Sequence, residues 1–118
     1  MCGIFGILLS KNDNIYKLII DGLIQLQNRG YDSSGLSVIK KDEFEIYKFE
    51  IYKFASTNDC TSIDKLLKLN LSCDENHYNG IGHNRWATHG IKNNINAHPH
   101  MSNDKLFSLV HNLSLIHI

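Results

Sequence analysis

The five residues Phe44-Glu45-Ile46-Tyr47-Lys48 are repeated at once, unchanged, as Phe49-Glu50-Ile51-Tyr52-Lys53. Each copy alternates apolar and polar side chains as a strand does, and successive strand residues point to opposite faces of a sheet. Five is odd, so a straight strand would turn the aromatic residues of the second copy to the face opposite those of the first. It cannot bury both copies alike, and the parity predicts a bulge or a looped-out copy. Two such short copies are far too few for a repeat architecture, which makes them a local duplication and leaves the fold to the rest of the chain.

That rest reads as one small domain. The 118 residues, 42% hydrophobic and 20% charged, are ordinary for a globular protein. Ile4 to Leu9 reads as a buried strand, and Ser10 to Asn14 as a polar break with several possible N-caps. Ile15, Leu18, Ile19, Leu23 and Leu26 recur at helical spacing, predicting an amphipathic helix to about Gln27 with Gly30 as its C-terminal glycine. Tyr31 to Gly35 reads as a turn-rich loop and Leu36 to Ile39 as a strand. A second helix is expected from Thr61 or Ser62, with Ile63, Leu66, Leu67 and Leu69 facing inward, then a polar loop from Asn70 to Asn79. Gly80 to Ala87 and Leu106 to Val110 complete the expected strands.

Charge and cysteine usage exclude several functions. Twelve basic residues balance 12 acidic ones, so no basic face for nucleic acid is implied. No basic stretch precedes the N-terminal apolar run, as a signal peptide requires, and no apolar run nears the roughly 20 residues of a membrane span. Cys2, Cys60 and Cys73 are odd in number and lack CxxC spacing, which argues for a reducing compartment, with the cytoplasm as the expected location. Four of the seven histidines lie between His83 and His100, raising a metal site as a hypothesis. Against it, no cysteine ligand is near and Pro99 should turn His98 and His100 in different directions; neither a metal nor another cofactor is expected.

Cys2 is the residue with the most chemistry. Initiator methionine is usually removed ahead of a small side chain, which would put the thiol and a free α-amine on one residue. That amine has an ordinary pKa of roughly 7.7 to 8.0, so near neutrality it can take the thiol's proton directly or through a water. Gly3 suits close approach of a substrate, and the strand from Ile4 would hold the thiol in place. The alternative is an ordinary buried cysteine near a chain start. Asn112, at a strand end, can cap or turn, or offer its amide to a reacting oxygen.

Four motifs stand in order: MCGIFGI at the start, RGYDSSG at 29–35, GHNRWATHG at 82–90, and NAHPH ahead of LVHN at 109–112. Together they resemble the amino-terminal glutaminase domain of the glutamine:fructose-6-phosphate aminotransferase family. The resemblance covers residues 1–112 apart from the repeat. It implies a class II glutamine amidotransferase of α+β class, with the N-terminal nucleophile hydrolase fold, an αββα sandwich of antiparallel sheets of which only the first part is here. Asparagine synthetases typically have RGPD where Tyr31 stands. Amidophosphoribosyltransferases, the runner-up, typically have RGQD and a tyrosine in place of Trp86.

The resemblance also implies roles. Cys2 would attack the side-chain amide of glutamine and form a glutamyl thioester, releasing ammonia. Arg85 would pair with the substrate α-carboxylate, for which a planar two-donor fork is suited. Thr88 and His89 would line the glutamine pocket, and Trp86 would shape its wall. Arg29 would orient the loop around the nucleophile or serve only as a helix-end cation. Asp32 reads as a turn residue. Asn112 would supply an oxyanion donor, worth on the order of a hundredfold to a thousandfold in rate.

Two departures stand beside these roles. Leu113 occupies the place of a family glycine whose N–H is the second oxyanion donor, and the family's aspartate for the substrate amine lies further on. The sugar isomerase domains are absent, so fructose 6-phosphate would be engaged only through domains outside this chain, which alone is expected to be inactive. The full-length enzyme is expected to be a homo-oligomer. One back-translation of residues 113–118, CTG TCT CTT ATA CAC ATC, matches a transposase adapter end used in sequencing libraries. Residues 113–118 are therefore expected to be a non-native tail; a leucine codon followed by the same tail in the genome would refute this.

Overall fold

The computed structural model describes residues 2–11, 13–29, 32–71, 77–86 and 90–112, without the side chains of Arg29 and His77. The expected elements at Gly30, Tyr31, Cys73 and 113–118 lie outside the described residues.

Strands β1 (Gly3–Leu8), β2 (Ser33–Lys41), β3 (Tyr47–Ala55) and β4 (His77–Arg85) form one antiparallel sheet in the order β1-β4-β2-β3. Helices α1 (Ile15–Gln25) and α2 (Ser62–Lys68) pack on one face of it. Strands β5 (His100–Met101) and β6 (Ser108–Leu109) pair in a separate small hairpin. Helices on an antiparallel sheet make an α+β arrangement.

The helical spacing of the apolar residues accounts for α1. Ile15, Ile19 and Leu23 are fully buried against Leu36 and Val38 of β2, contributing roughly 1.5–3 kcal/mol each. Asn14 caps the helix, its side chain accepting from the Lys17 N–H at 3.2 Å. Close packing on β4 depends on glycine: a Cβ on Gly82 would lie 2.7 Å from the Ile19 Cγ2. A buried polar chain then ties four elements together. Ser62 Oγ donates to Ser34 Oγ at 2.8 Å, Ser34 Oγ to Asn84 Oδ1 at 2.7 Å, and Asn84 Nδ2 to the Leu23 carbonyl at 2.7 Å.

The duplication is resolved as the parity argument requires. Residues 44–46 of the first copy form the tip of the β2–β3 hairpin and its Tyr47 and Lys48 begin β3, with Phe44 75%, Ile46 55% and Tyr47 68% exposed. Asp42 Oδ1 accepts from the Phe44 and Ile46 N–H groups, both at 2.9 Å. The second copy lies in β3, where Tyr52 packs on the core and meets the Tyr16 ring edge-on at 6.2 Å.

Three boundaries differ from the sequence reading. β2 begins at Ser33 rather than Leu36, because Ser33 to Gly35 pair on both sides, with Ala55 to Lys53 and with Arg85 to His83. β4 begins at His77 inside the expected polar loop, where His77 pairs with Lys40 and Asn79 with Leu8. Partner strands outweigh local polarity here. The expected strand at Leu106–Val110 is only two residues long, because Ser102 to Phe107 close a tight turn in which Asp104 Oδ1 accepts from the Leu106 N–H at 3.0 Å.

The sheet face opposite the helices is only partly covered. Leu8 is 78% exposed, and a groove of about 510 Å³ is lined by Gly6, Leu8, Ile39, Phe49, Ile81 and Ser108.

Candidate active site

Cys2 immediately precedes β1, and the pairing of Gly3 with Asn84 sets it beside the end of β4. Its side chain is buried, with Sγ 3.9 Å from the Trp86 carbonyl oxygen. The Cys2 nitrogen donates to Asn112 Oδ1 at 3.3 Å, across 110 residues of sequence. With Oδ1 engaged, the other end of that amide, the Nδ2 group, is directed elsewhere.

Arg85 closes the same end of β4 and is nearly buried. One guanidinium nitrogen donates to the Ile91 carbonyl at 3.0 Å, and Asn96 Nδ2 donates to the same oxygen at 2.8 Å. Trp86 is half exposed beside Cys2. Asp32 sits at the bend before β2, where its N–H donates to the Arg85 carbonyl at 3.0 Å and its carboxylate pairs with Lys92 at 3.1 Å. The structure thus brings Cys2, Trp86 and Asn112 into contact and sets Arg85 next in the chain. Arg29 ends a 3-10 turn at Gln27–Arg29, and its side chain lies outside the described residues, as do Thr88 and His89.

The segment from Asn94 to Pro99 crosses the open sheet face over β2 and β3. Lys53, the last residue of the second repeat copy, donates to the carbonyls of Ile95, Ala97 and Pro99 at 3.3, 3.0 and 3.1 Å. The His98 carbonyl passes directly over Gly35, where a Cβ would lie 2.1 Å from its oxygen. Neither contact is evident from sequence, although Gly35 ends the RGYDSSG motif.

Three histidines also meet here. The rings of His83 and His98 stack at 4.2 Å with 17° between planes, and His98 meets His100 edge-on at 4.6 Å. The expectation that Pro99 would part His98 from His100 fails, because the chain bends at 97–98 instead of running extended. Burial pushes His83 down to about 4, with Arg85 and His100 adding to it against the opposing hydrogen bond to the His111 carbonyl. Burial, then the neighbouring His83, His100, Arg85 and Lys53, pushes His98 down to about 3. His100 is lowered too, chiefly by burial. Among the described residues no group of three or more His, Cys, Asp or Glu side chains is placed to hold a metal ion. The period-two pattern of β4 was a usable signal, since His83 and Arg85 must share a face.

No family model matches the chain. Over 112 residues, 95% of its length, it is 41% identical to the glutamine–fructose-6-phosphate aminotransferases (isomerizing) of Staphylococcus aureus strains Mu50 and N315 and of Staphylococcus epidermidis strain ATCC 35984. These three relatives are glutamine–fructose-6-phosphate aminotransferases. The match spans 17% of the length of each of these relatives. The resemblance carried by the four motifs therefore extends over nearly the whole chain, and the aminotransferases it points to are enzymes. Among the described residues no helix is long and apolar enough to cross a membrane.

Proposed function

We propose that residues 1–112 are the first part of a glutaminase domain of the N-terminal nucleophile hydrolase type, supplying ammonia to a glutamine:fructose-6-phosphate transaminase (isomerizing) in the cytoplasm. The single observation that carries this reading is the contact between the Cys2 nitrogen and Asn112 Oδ1, with the Cys2 thiol buried beside the Trp86 carbonyl.

With Met1 removed, the Cys2 nitrogen becomes an α-amine. One of its hydrogens stays on Asn112 Oδ1 while its lone pair takes the thiol proton. Sγ then forms a bond to the side-chain carbonyl carbon of glutamine, and the carbonyl electrons move onto oxygen, where Asn112 Nδ2 donates a hydrogen bond. The amine returns its proton to the leaving nitrogen, the C–N bond breaks, and ammonia departs from a glutamyl thioester. Water attacks the thioester, the C–S bond breaks, and glutamate leaves with the thiol restored. Arg85 binds the substrate α-carboxylate, Thr88 and His89 line the pocket, Trp86 forms its wall and Arg29 orients the nucleophile loop. Fructose 6-phosphate binds to further domains of a homo-oligomeric enzyme. The open sheet face, with Leu8 exposed, is covered in this reading by the second sheet of the domain. Trp86 favours this enzyme over an amidophosphoribosyltransferase.

The test is treatment of the native gene product with an electrophilic glutamine analogue, followed by mass spectrometry. Loss of Met1 and labelling at Cys2 are expected. Labelling at Cys60 or Cys73, or none, rejects the mechanism.

A further inference from the structure

Asn112 lies past the end of β6, in a stretch with little regular structure of its own, yet its amide must be aimed at a reacting oxygen. The residue before it is held from both sides. The His111 carbonyl accepts a hydrogen bond from His83 Nε2 at 2.9 Å, and the His111 N–H donates to His98 Nδ1 at 3.2 Å. Both main-chain polar groups of one residue are thus taken by two imidazoles that are themselves stacked at 4.2 Å. Each imidazole is anchored in turn. His83 is fully buried near the end of β4, and the His98 main chain rests on Gly35.

We propose that His83 and His98 form a clamp on the His111 peptide units that positions Asn112 for its contact with Cys2 and for its role in the reaction. This deepens the glutaminase reading and rests on it.

The clamp fixes the tautomers. His83 must carry its hydrogen on Nε2 to donate to a carbonyl, and His98 must leave Nδ1 bare to accept from an N–H. His83 Nδ1, buried and without a partner among the described residues, agrees with the first assignment. A proton added to His98 Nδ1 would set two N–H groups against each other and break the clamp. The groups around the pair all oppose such a proton: Arg85 from β4, Lys53 from β3, and His100 from β5. Because the clamp acts on the backbone ahead of Asn112, it should govern the chemical step more than the binding of glutamine.

Amide side chains separate this from a packing role. An asparagine at 98 can present Oδ1 where Nδ1 stands, and a glutamine at 83 can present an N–H where Nε2 stands; leucine and methionine can do neither. In the full-length gene product we expect His98→Leu to lower kcat for glutamine hydrolysis tenfold or more with KM changed less than threefold. His98→Asn should recover most of that loss. Exchange of the His111 amide hydrogen should quicken at least tenfold in His98→Leu and stay slow in His98→Asn. The pair His83→Met and His83→Gln should repeat the kinetic pattern. If His98→Leu does not fold, His98→Asn decides alone: kcat within threefold of wild type supports the clamp, and a tenfold fall overturns it. Equal losses of kcat in the Leu and Asn variants, or His111 exchange indifferent to both, also overturn it. A wild-type protein that hydrolyses no glutamine instead overturns the glutaminase reading and, with it, the catalytic part of this proposal.

Discussion

The carbonyl of His98 crosses Gly35 so closely that a single added methyl carbon would sit 2.1 Å from its oxygen. The obstacle is backbone, tied down on the sheet by the Lys53 hydrogen bonds to the Ala97 and Pro99 carbonyls, so it cannot swing away as a flexible side chain would. Gly35→Ala should therefore displace the 94–99 segment and destabilise the native protein by about 1–3 kcal/mol, the usual cost of overpacking. Denaturant unfolding of wild type and variant measures it. A variant within about 0.5 kcal/mol of wild type, the range of an ordinary surface change, would show that the segment lies elsewhere.

Removing one copy of the duplication should cost little. Val38 pairs with Glu50 and Ile39 with Phe49, while residues 44–46 of the first copy occupy the exposed hairpin tip. With five residues deleted, Lys40 to Glu43 can close the shortened hairpin as a four-residue loop, a common length. The single-copy protein should stay within about 1 kcal/mol of the original, and it loses the exposed Phe44, Ile46 and Tyr47. Unfolding midpoints decide this; a larger loss would mean that the tip packs on something in the native protein.

These two cases mark what was legible in the sequence. Helix α1 was readable because Ile15, Ile19 and Leu23 serve one local periodic face, and the fate of the repeat followed from parity alone. The starts of β2 and β4 were not, because Ser33, Ser34 and His77 to Asn79 are polar and become strand only through partners far away in the chain. Cys2 and Asn112 could be singled out from their chemistry and place in the chain, and Arg85 and Trp86 through the family resemblance that the ordered motifs carry. The contacts of Lys53, Gly35 and the histidine clamp link residues 13 to 63 positions apart, and nothing local in the sequence announces such distances.

Arg85 should serve glutamine recognition rather than bond breaking. Lysine at this position keeps the charge but loses the planar fork, and it would also give up the fixed contact to Ile91. Steady-state kinetics of Arg85→Lys in the native gene product should give a KM for glutamine raised roughly tenfold or more, with a smaller change in kcat. An unchanged KM would remove Arg85 from the substrate site.

Stability should fall as the solution is acidified through a window set by the histidine pair. His83 and His98 have an ordinary value of 6.5, and the folded protein holds them at about 4 and about 3. Between those values the unfolded chain binds more protons than the folded one, so acid favours unfolding there. Their contribution is complete above about pH 6.5, declines as pH falls, and is lost once pH passes below the folded values. For the fully buried His83 this corresponds to roughly 3 kcal/mol. Asp42 and Asp104, lowered from 3.8 chiefly by hydrogen bonds from Ile46 and Ser102, act in the same direction but only in stronger acid. The interval from pH 6.5 to about 4.5 therefore isolates the histidines, with His100, also lowered chiefly by burial, acting in the same direction as the pair. Unfolding midpoints of the native gene product should fall steadily across it, and His98→Asn, which keeps an acceptor for His111 but cannot bind a proton there, should fall less steeply. Midpoints that are flat over this interval in the wild type, or slopes that are equal in the two proteins, would refute burial of His98 as a neutral imidazole.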